Sequence, residues 1–126
     1  MKILGWCIGL SLALWSVPAK AENWQIVSTS VEGAITEINF DSLEHQGANA
    51  LYVLRYFLRY PESNKAQVYV VEMETNCQTF KERKLQWAAY TLNGKRLHTQ
   101  KKPERWESIL LGSVSHRVYT RVCPSR

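Results

Sequence analysis

The chain has 126 residues, with 16 lysines and arginines against 11 aspartates and glutamates, which is a formal net charge of +5. This length accommodates one small domain, and the sequence has no internal repeat, linker or low-complexity segment. The basic excess is mild, so it permits acidic partners but does not require nucleic acid, whose binding proteins usually show a concentrated basic stripe.

The N-terminus has the pattern of a secretory signal peptide. Lys2 supplies a positive charge, residues 3–17 are apolar and uncharged, and residues 19–21 (AKA) form a small-x-small cleavage site. We expect cleavage after Ala21, which leaves residues 22–126 as one domain. The apolar run is shorter than the about 20 residues of a membrane span. An uncleaved anchor is therefore the weaker alternative, and no membrane span is expected after cleavage.

The predicted signal peptide, residues 1–21, affects the net charge of the mature protein and indicates its compartment. Its removal takes away Lys2 and Lys20, so 14 basic residues face 11 acidic ones and the mature net charge is near +3. Cys7 lies inside the apolar run directly after Trp6, whereas a lipid-modified cysteine follows such a run and small residues. The sequence therefore predicts an exported protein that is periplasmic or secreted. Display on the outer-membrane surface is disfavoured because no lipobox is seen.

Two cysteines, Cys77 and Cys123, remain after cleavage. In an exported chain such a pair indicates a disulfide, and a loop of this length gives a stabilisation of about 4 kcal/mol in the chain-entropy model. Unpaired structural cysteines, a nucleophile or a metal ligand are the alternatives. A nucleophile needs a free thiol and a nearby base, and a metal site needs further ligands, but neither pattern is visible.

Alternation of apolar and polar residues with period two, rich in aromatic and β-branched side chains, predicts strands over most of the chain. Asp41-Ser42 is a turn signal that we expect to end the second strand. The predicted strands cover residues 24–29, 34–40, 48–60, 67–77, 81–92 and 95–100.

The third and fourth predicted strands flank residues 61–64 (PESN), which form a turn signal. Paired as a hairpin, they are expected to place Arg55 opposite Glu72, so that charges meet on one face and apolar side chains meet on the other. In this register Cys77 points to the apolar face. A slip by one residue would scramble both faces.

The last part of the chain carries a second hairpin signal and a change of period. Asn93-Gly94 favours a type I′ turn. Residues 112–123 then follow a helical period, with Ser113 placed to cap the start and Pro124 after the end. One stripe of this helix carries Val114, Val118, Val122 and Cys123.

These elements predict an α+β fold. A single antiparallel β-sheet of about five to six strands carries a C-terminal α-helix on one face. The predicted disulfide between Cys77 and Cys123 ties the helix to the sheet.

Several residues spread over the mature chain resemble the surface-adhesin protein E family of bacterial exported proteins. The resemblance implies an antiparallel sheet whose C-terminal helix is tied to it by the two cysteines. It also implies adhesion to host matrix or serum proteins and allows a homodimer. The matching features are Trp24, Asp41-Ser42, the strand that leads into Cys77, Tyr90 with Gly94, Trp106, Ile109, Gly112-Ser113 and Val122-Cys123.

The candidate partner-binding residues are basic and lie around the last predicted hairpin. They could meet a protein or an acidic glycan, or an anionic lipid surface. The alternative is a solvated hairpin whose lysines discourage pairing between sheet edges. We call this set the basic segment, and its members are Lys95, Arg96, Lys101, Lys102 and Arg105.

No catalytic residue, metal site or cofactor is predicted, because His45, His98 and His116 show no ligand spacing and no phosphate loop or nucleophile elbow occurs. We therefore expect a non-enzymatic exported binding protein that contacts host or envelope macromolecules through the sheet or the basic segment. One alternative is a periplasmic structural or stress-related envelope domain. Another is a small-ligand carrier with a cleft lined by tyrosines, for which the candidates are Tyr52, Tyr56, Tyr60 and Tyr69.

Overall fold

The computed structural model describes residues 22–124, and the predicted signal peptide lies outside them. These residues form seven strands followed by one helix. The elements are β1 (Trp24–Thr29), β2 (Ile35–Gln46), β3 (Asn49–Phe57), β4 (Val68–Asn76), β5 (Lys81–Tyr90), β6 (Arg96–Gln100), β7 (Glu107–Ser108) and α1 (Val114–Val122).

The strands build one antiparallel sheet in the order β1-β2-β3-β4-β5-β6. Each strand pairs with its neighbour along the chain, as expected when short connections join antiparallel strands. The two-residue strand β7 pairs with the start of β5. The predicted single sheet with a C-terminal helix is thus confirmed, with β7 as a short addition.

The helix α1 packs on one face of the sheet, which we call the inner face; the opposite face is the outer face. Ser113 is the N-cap, and its hydroxyl accepts a hydrogen bond from the His116 backbone N–H at 3.1 Å. Of the predicted helical stripe, Val118, Val122 and Cys123 are buried in the core, whereas Val114 at the start of the helix is 39 % exposed. The buried core contains Ile38, Ala50, Tyr52, Leu54, Val71, Met73, Val118, Val122 and Cys123.

The predicted disulfide is confirmed. Cys77, just beyond β4, is bonded to Cys123, at the end of α1, and the two Cα atoms are 5.7 Å apart. The Tyr119 hydroxyl donates a hydrogen bond to the Cys77 carbonyl at 2.7 Å. The last turn of the helix is therefore held to the sheet by both a covalent bond and a hydrogen bond.

The predicted register of the β3–β4 hairpin is wrong by two residues. Arg55 lies opposite Val70, and Glu72 lies opposite Val53. These pairs centre the hairpin on residues 61–64, whereas the predicted pairs would move its centre along the chain. A shift of two residues leaves every side chain on its own face, so the hydrophobic pattern was compatible with both registers.

The predicted end of the second strand is also wrong, because β2 continues past Asp41-Ser42 to Gln46. The pairing with β3 is irregular between Asn39 and Glu44, and extra residues in one strand are accommodated as a bulge. Ser42 bridges the irregularity, since its hydroxyl accepts from the Val53 N–H at 2.9 Å and donates to the Asn39 carbonyl at 2.6 Å. The turn signal thus marks a bulge in a continuing strand.

The second hairpin turn is in the predicted place but is not type I′. Gly94 has φ of +95°, whereas Asn93 is not among the described non-glycine residues with positive φ. The Gly94 N–H donates to the Thr91 carbonyl at 3.0 Å, and the Thr91 N–H donates to the Lys95 carbonyl at 2.9 Å. This is the pattern of a three-residue loop with glycine in the left-handed position.

Candidate functional site

The basic segment lies on the edge strand β6 and in the loop that follows it. All five of its side chains are exposed, and the ion pairs found within residues 22–124 involve other cations. Arg96 begins β6 and Lys101 directly follows it, so the two are about 16 Å apart along an extended strand. The five cations therefore lie on β6 and on the turn and loop that flank it.

Arg96 and Lys101 also border a groove of about 490 Å³ on the outer face. Its apolar surface comes mainly from the central strands β3, β4 and β5. The Gln86 side-chain amide donates to the Glu72 carboxylate at 2.6 Å, so that carboxylate already has a partner. The lining residues are Val53, Val70, Glu72, Gln86, Trp87, Ala88, Tyr90, Arg96, Thr99 and Lys101.

Lys95 lies at a second groove, of about 750 Å³, between the β3–β4 loop and the β5–β6 turn. Lys65 lines the same groove, although 30 residues of sequence separate it from Lys95. The sequence carried one signal for Lys65, its position directly after the predicted turn at residues 61–64, but nothing that placed that turn beside the second hairpin. Lys65 therefore adds a cation to the five predicted residues.

Lys102 and Arg105 flank Glu104 in the loop after β6. The Glu104 backbone N–H donates to the Lys84 carbonyl at 2.8 Å, which attaches this loop to β5. The Glu104 carboxylate accepts from the Trp87 indole N–H at 3.1 Å and lies 3.9 Å from the Lys84 ammonium. The acid of this loop is thus directed to β5, and the two cations beside it remain exposed.

The four candidate tyrosines do not share one cleft. Tyr52 is buried, and its hydroxyl is hydrogen-bonded to that of Thr75 at 2.7 Å. Tyr60 is 69 % exposed. Tyr56 and Tyr69 line a cleft of about 300 Å³. The space under α1 is therefore filled by the core, and the cleft lies elsewhere on the inner face.

The inner-face tyrosines have raised pKa values. Burial, with a smaller effect of the Glu82 charge, raises the pKa of Tyr56 to about 12. Burial also raises the pKa of Tyr52 above its usual range. For Tyr69 the main cause of its raised pKa is the hydrogen bond that its hydroxyl donates to the Glu62 carboxylate. All three hydroxyls therefore stay protonated at neutral pH.

Each histidine has a local structural contact. His45 is hydrogen-bonded through Nε2 to the Val122 carbonyl at 2.8 Å. His98 packs against the Trp87 ring with centroids 5.3 Å apart, and His116 accepts through Nδ1 from the Gly112 N–H at 3.0 Å. Within residues 22–124, no three side chains of the metal-binding types are grouped to hold an ion.

In the described range, 22–124, no helix is both long enough and apolar enough to cross a bilayer.

Comparison with known proteins gives one match. A family model described as surface-adhesin protein E matches residues 24–124. This chain belongs to the surface-adhesin protein E family. No curated protein and no solved structure matches the sequence. The family suggests an adhesin-like surface protein. Membership therefore implies that the protein is exported or at the surface, and it implies a non-enzymatic role.

Proposed function

We propose that residues 22–126 are an exported, non-enzymatic binding protein that contacts an acidic macromolecule through the basic segment. The observation that carries the proposal is the set of five exposed cations on β6 and in the turn and loop that flank it, none of them in an ion pair within residues 22–124. Cations that lack local partners attract anionic ligands over several ångströms. Lys65 at the neighbouring groove adds to the same field.

An acidic glycan fits this arrangement better than a compact anion. Its charges repeat along a chain, and the cations of the basic segment are also spread along a strand, about 16 Å from Arg96 to Lys101. The groove on the outer face and the groove at the β5–β6 turn offer apolar surface to the rest of such a ligand. An acidic protein loop is the other class of partner that the same charges would accept.

The test is binding of the mature protein to an immobilised sulfated glycan at several salt concentrations. The double variant Lys101→Glu, Lys102→Glu should weaken binding by about tenfold or more, which is about 1.4 kcal/mol. It should also flatten the dependence of affinity on salt, since fewer counterions are released. The matched control is Lys81→Glu, Arg117→Glu, which changes the net charge equally at two other exposed cations.

Three results would count against this assignment. If both double variants weaken binding equally, the protein responds to net charge and has no site at β6. If the native protein fails to bind the sulfated glycan at all, the glycan class is excluded. If it binds acidic proteins instead, with the same dependence on Lys101 and Lys102, the partner is a protein.

We also propose that the chain reaches its compartment by cleavage after Ala21 and ends periplasmic or secreted without a lipid. The support is the charge, apolar run and AKA site of residues 1–21. Cell fractionation, combined with N-terminal sequencing of the mature protein, should give Glu22 as the first residue in an exported fraction. A lipid-modified or uncleaved N-terminus would contradict the proposal.

A further inference from the structure

The cleft that Tyr56 and Tyr69 line is a separate feature from the basic segment. It lies on the inner face beyond the area that α1 covers, and its volume is about 300 Å³, at the lower end of the range for small-molecule sites. We call it the aromatic cleft. Its lining residues are Tyr56, Tyr69, Val71, Lys84, Trp87 and Glu104, and none of them belongs to the basic segment.

The apolar part of the aromatic cleft is built by neighbouring strands in register. Tyr56 of β3 lies opposite Tyr69 of β4, and Val71 of β4 lies opposite Trp87 of β5. The rings of Tyr69 and Trp87 have centroids 5.8 Å apart and are tilted by 53°. They therefore present two ring surfaces at an angle, with an aliphatic side chain beside them.

The two partly buried rings of Tyr69 and Trp87 are held in place by hydrogen bonds at their polar atoms. The Tyr69 hydroxyl donates to the Glu62 carboxylate, and the Trp87 indole N–H donates to Glu104 Oε2 at 3.1 Å. The ring of His98 also packs against Trp87. Because the rings are already oriented, a ligand would lose little of its binding free energy to ordering them.

One end of the aromatic cleft is polar and carries both a donor and an acceptor. Lys84 Nζ lies 3.9 Å from Glu104 Oε1, and each of the two side chains is 43 % exposed. This separation is longer than a hydrogen bond, so the ammonium and the carboxylate both keep hydrogen-bonding capacity. Their charges also cancel, which leaves the polar end without a net preference for an anion or a cation.

We propose that the aromatic cleft binds one neutral hexose ring of a glycan. A pyranose has an apolar C–H face that can pack on an aromatic ring and hydroxyl groups that both donate and accept. The rings of Tyr69 and Trp87 match the first property, and Lys84 with Glu104 match the second. Because the charges of Lys84 and Glu104 cancel, the polar end adds no net attraction for a cation or an anion, and a quaternary ammonium would be held by the rings alone.

The test uses the mature protein labelled with ¹⁵N, titrated with glucose, galactose, mannose and their neutral disaccharides. Residues 22–126 contain three tryptophans, Trp24, Trp87 and Trp106, so the three indole N–H signals report three places on the surface. We expect at least one sugar to shift the Trp87 signal in a saturable way, with weak affinity, and to leave the Trp24 and Trp106 signals in place.

Variants separate binding from folding. Trp87→Ala should lower the affinity for that sugar by about tenfold or more, whereas Trp106→Ala, which removes a tryptophan 37 % exposed on the outer face, should not change it. If Trp87→Ala fails to fold, Lys84→Met serves instead, since it removes the donor from an exposed side chain and leaves the rings. A loss of several-fold or more is expected for Lys84→Met.

This site goes beyond the proposed function and can fail independently of it. The double variant Lys101→Glu, Lys102→Glu should lower the affinity for the sulfated glycan and leave the affinity for the neutral sugar unchanged. If no sugar shifts the Trp87 signal, or if Trp106→Ala weakens binding as much as Trp87→Ala does, the sugar site is overturned. Saturable binding of tetramethylammonium in place of any sugar would also overturn it and would assign the cleft to cations.

Discussion

Tyr52 and Tyr56 lie on the inner face of β3 on either side of Leu54, yet their hydroxyls have different environments. The Tyr52 hydroxyl is hydrogen-bonded to that of Thr75 inside the core. The Tyr56 hydroxyl has no hydrogen-bond partner within residues 22–124, although burial raises its pKa to about 12. Because burial raises the pKa of Tyr56, the pH-dependent cost of burying its hydroxyl arises only where the unfolded chain can ionise it.

This difference predicts an alkaline loss of stability. An unfolded tyrosine ionises near pH 10, whereas Tyr56 in the folded protein ionises near pH 12. Between these values the unfolded state binds fewer protons, so the free energy of unfolding falls as the pH rises. Well below pH 10 the Tyr56 hydroxyl is protonated in both the folded and the unfolded state, so it does not make the free energy of unfolding depend on pH.

Tyr56→Phe should therefore reduce the loss of stability between pH 10 and 12 by about 2 kcal/mol, with little change at pH 7. The measurement is urea unfolding at a series of pH values. Tyr60→Phe, at a side chain 69 % exposed, is the matched control. Equal pH dependence in the two variants would contradict the burial of the Tyr56 hydroxyl.

The helix α1 depends on its N-cap more than most helices do, because it has nine residues and no acidic residue in its first turn. Ser113 supplies the side-chain acceptor for the His116 N–H at 3.1 Å. Isolated helices of this length are marginal in water. Stability therefore comes from the cap and from burial of Val118 and Val122, which are 1 % and 2 % exposed.

Ser113→Ala should lower the free energy of unfolding by about 1 kcal/mol, because it leaves a helical N–H without its acceptor. Ser113→Asp should retain the stability, since a carboxylate also caps and interacts favourably with the helix dipole. The control is Thr120→Ala, an exposed position of the same helix. If Ser113→Ala and Thr120→Ala had the same midpoint in urea, the cap would not contribute.

The extent of each element was only partly predictable from local sequence. The strand alternation and the helix cap are local signals, and β1 and α1 agree with them closely. The end of the second strand was wrongly predicted at Asp41-Ser42 because a turn and a bulge can use the same residue types. Whether the chain reverses or continues there depends on β3, whose Val53 N–H is bonded by Ser42.

The molecule as a whole is a sheet with one face partly covered. The helix lies on the inner face, while the described residues leave the outer face and the β6 edge free of any covering element. Both candidate surfaces lie where the helix does not reach. The domain has about 100 residues, for which a net stability of only about 5–15 kcal/mol is typical, so the link between helix and sheet should matter greatly.

Removal of the Cys77–Cys123 disulfide tests that link. The bond closes a loop with a sequence separation of 46, for which the chain-entropy model predicts a stabilisation of about 4 kcal/mol. Cys77→Ala, Cys123→Ala should lower the free energy of unfolding by about this amount. Reduction of the native protein should have the same effect, and the double variant should not respond to reductant.

A change below about 1 kcal/mol would mean that Val118 and Val122 hold the helix without help. A large response of the double variant to reductant would mean that reduction acts on the protein in another way. The first result would contradict a stabilising role for the bond, and the second would leave the double variant as the measure of that role.

The sequence alone determined the alternating strands and the capped helix, because each of these is a local pattern. It also determined the disulfide pairing, because residues 22–126 contain only two cysteines. Tertiary structure decided which side chains meet across the sheet. Arg55 pairs with Glu37 at 2.7 Å and not with Glu72, since a register shift of two residues is invisible to a period-two pattern. The aromatic cleft could not be predicted either, because strand order and the path of the loop after β6, and not spacing along the chain, bring Trp87, Lys84 and Glu104 together.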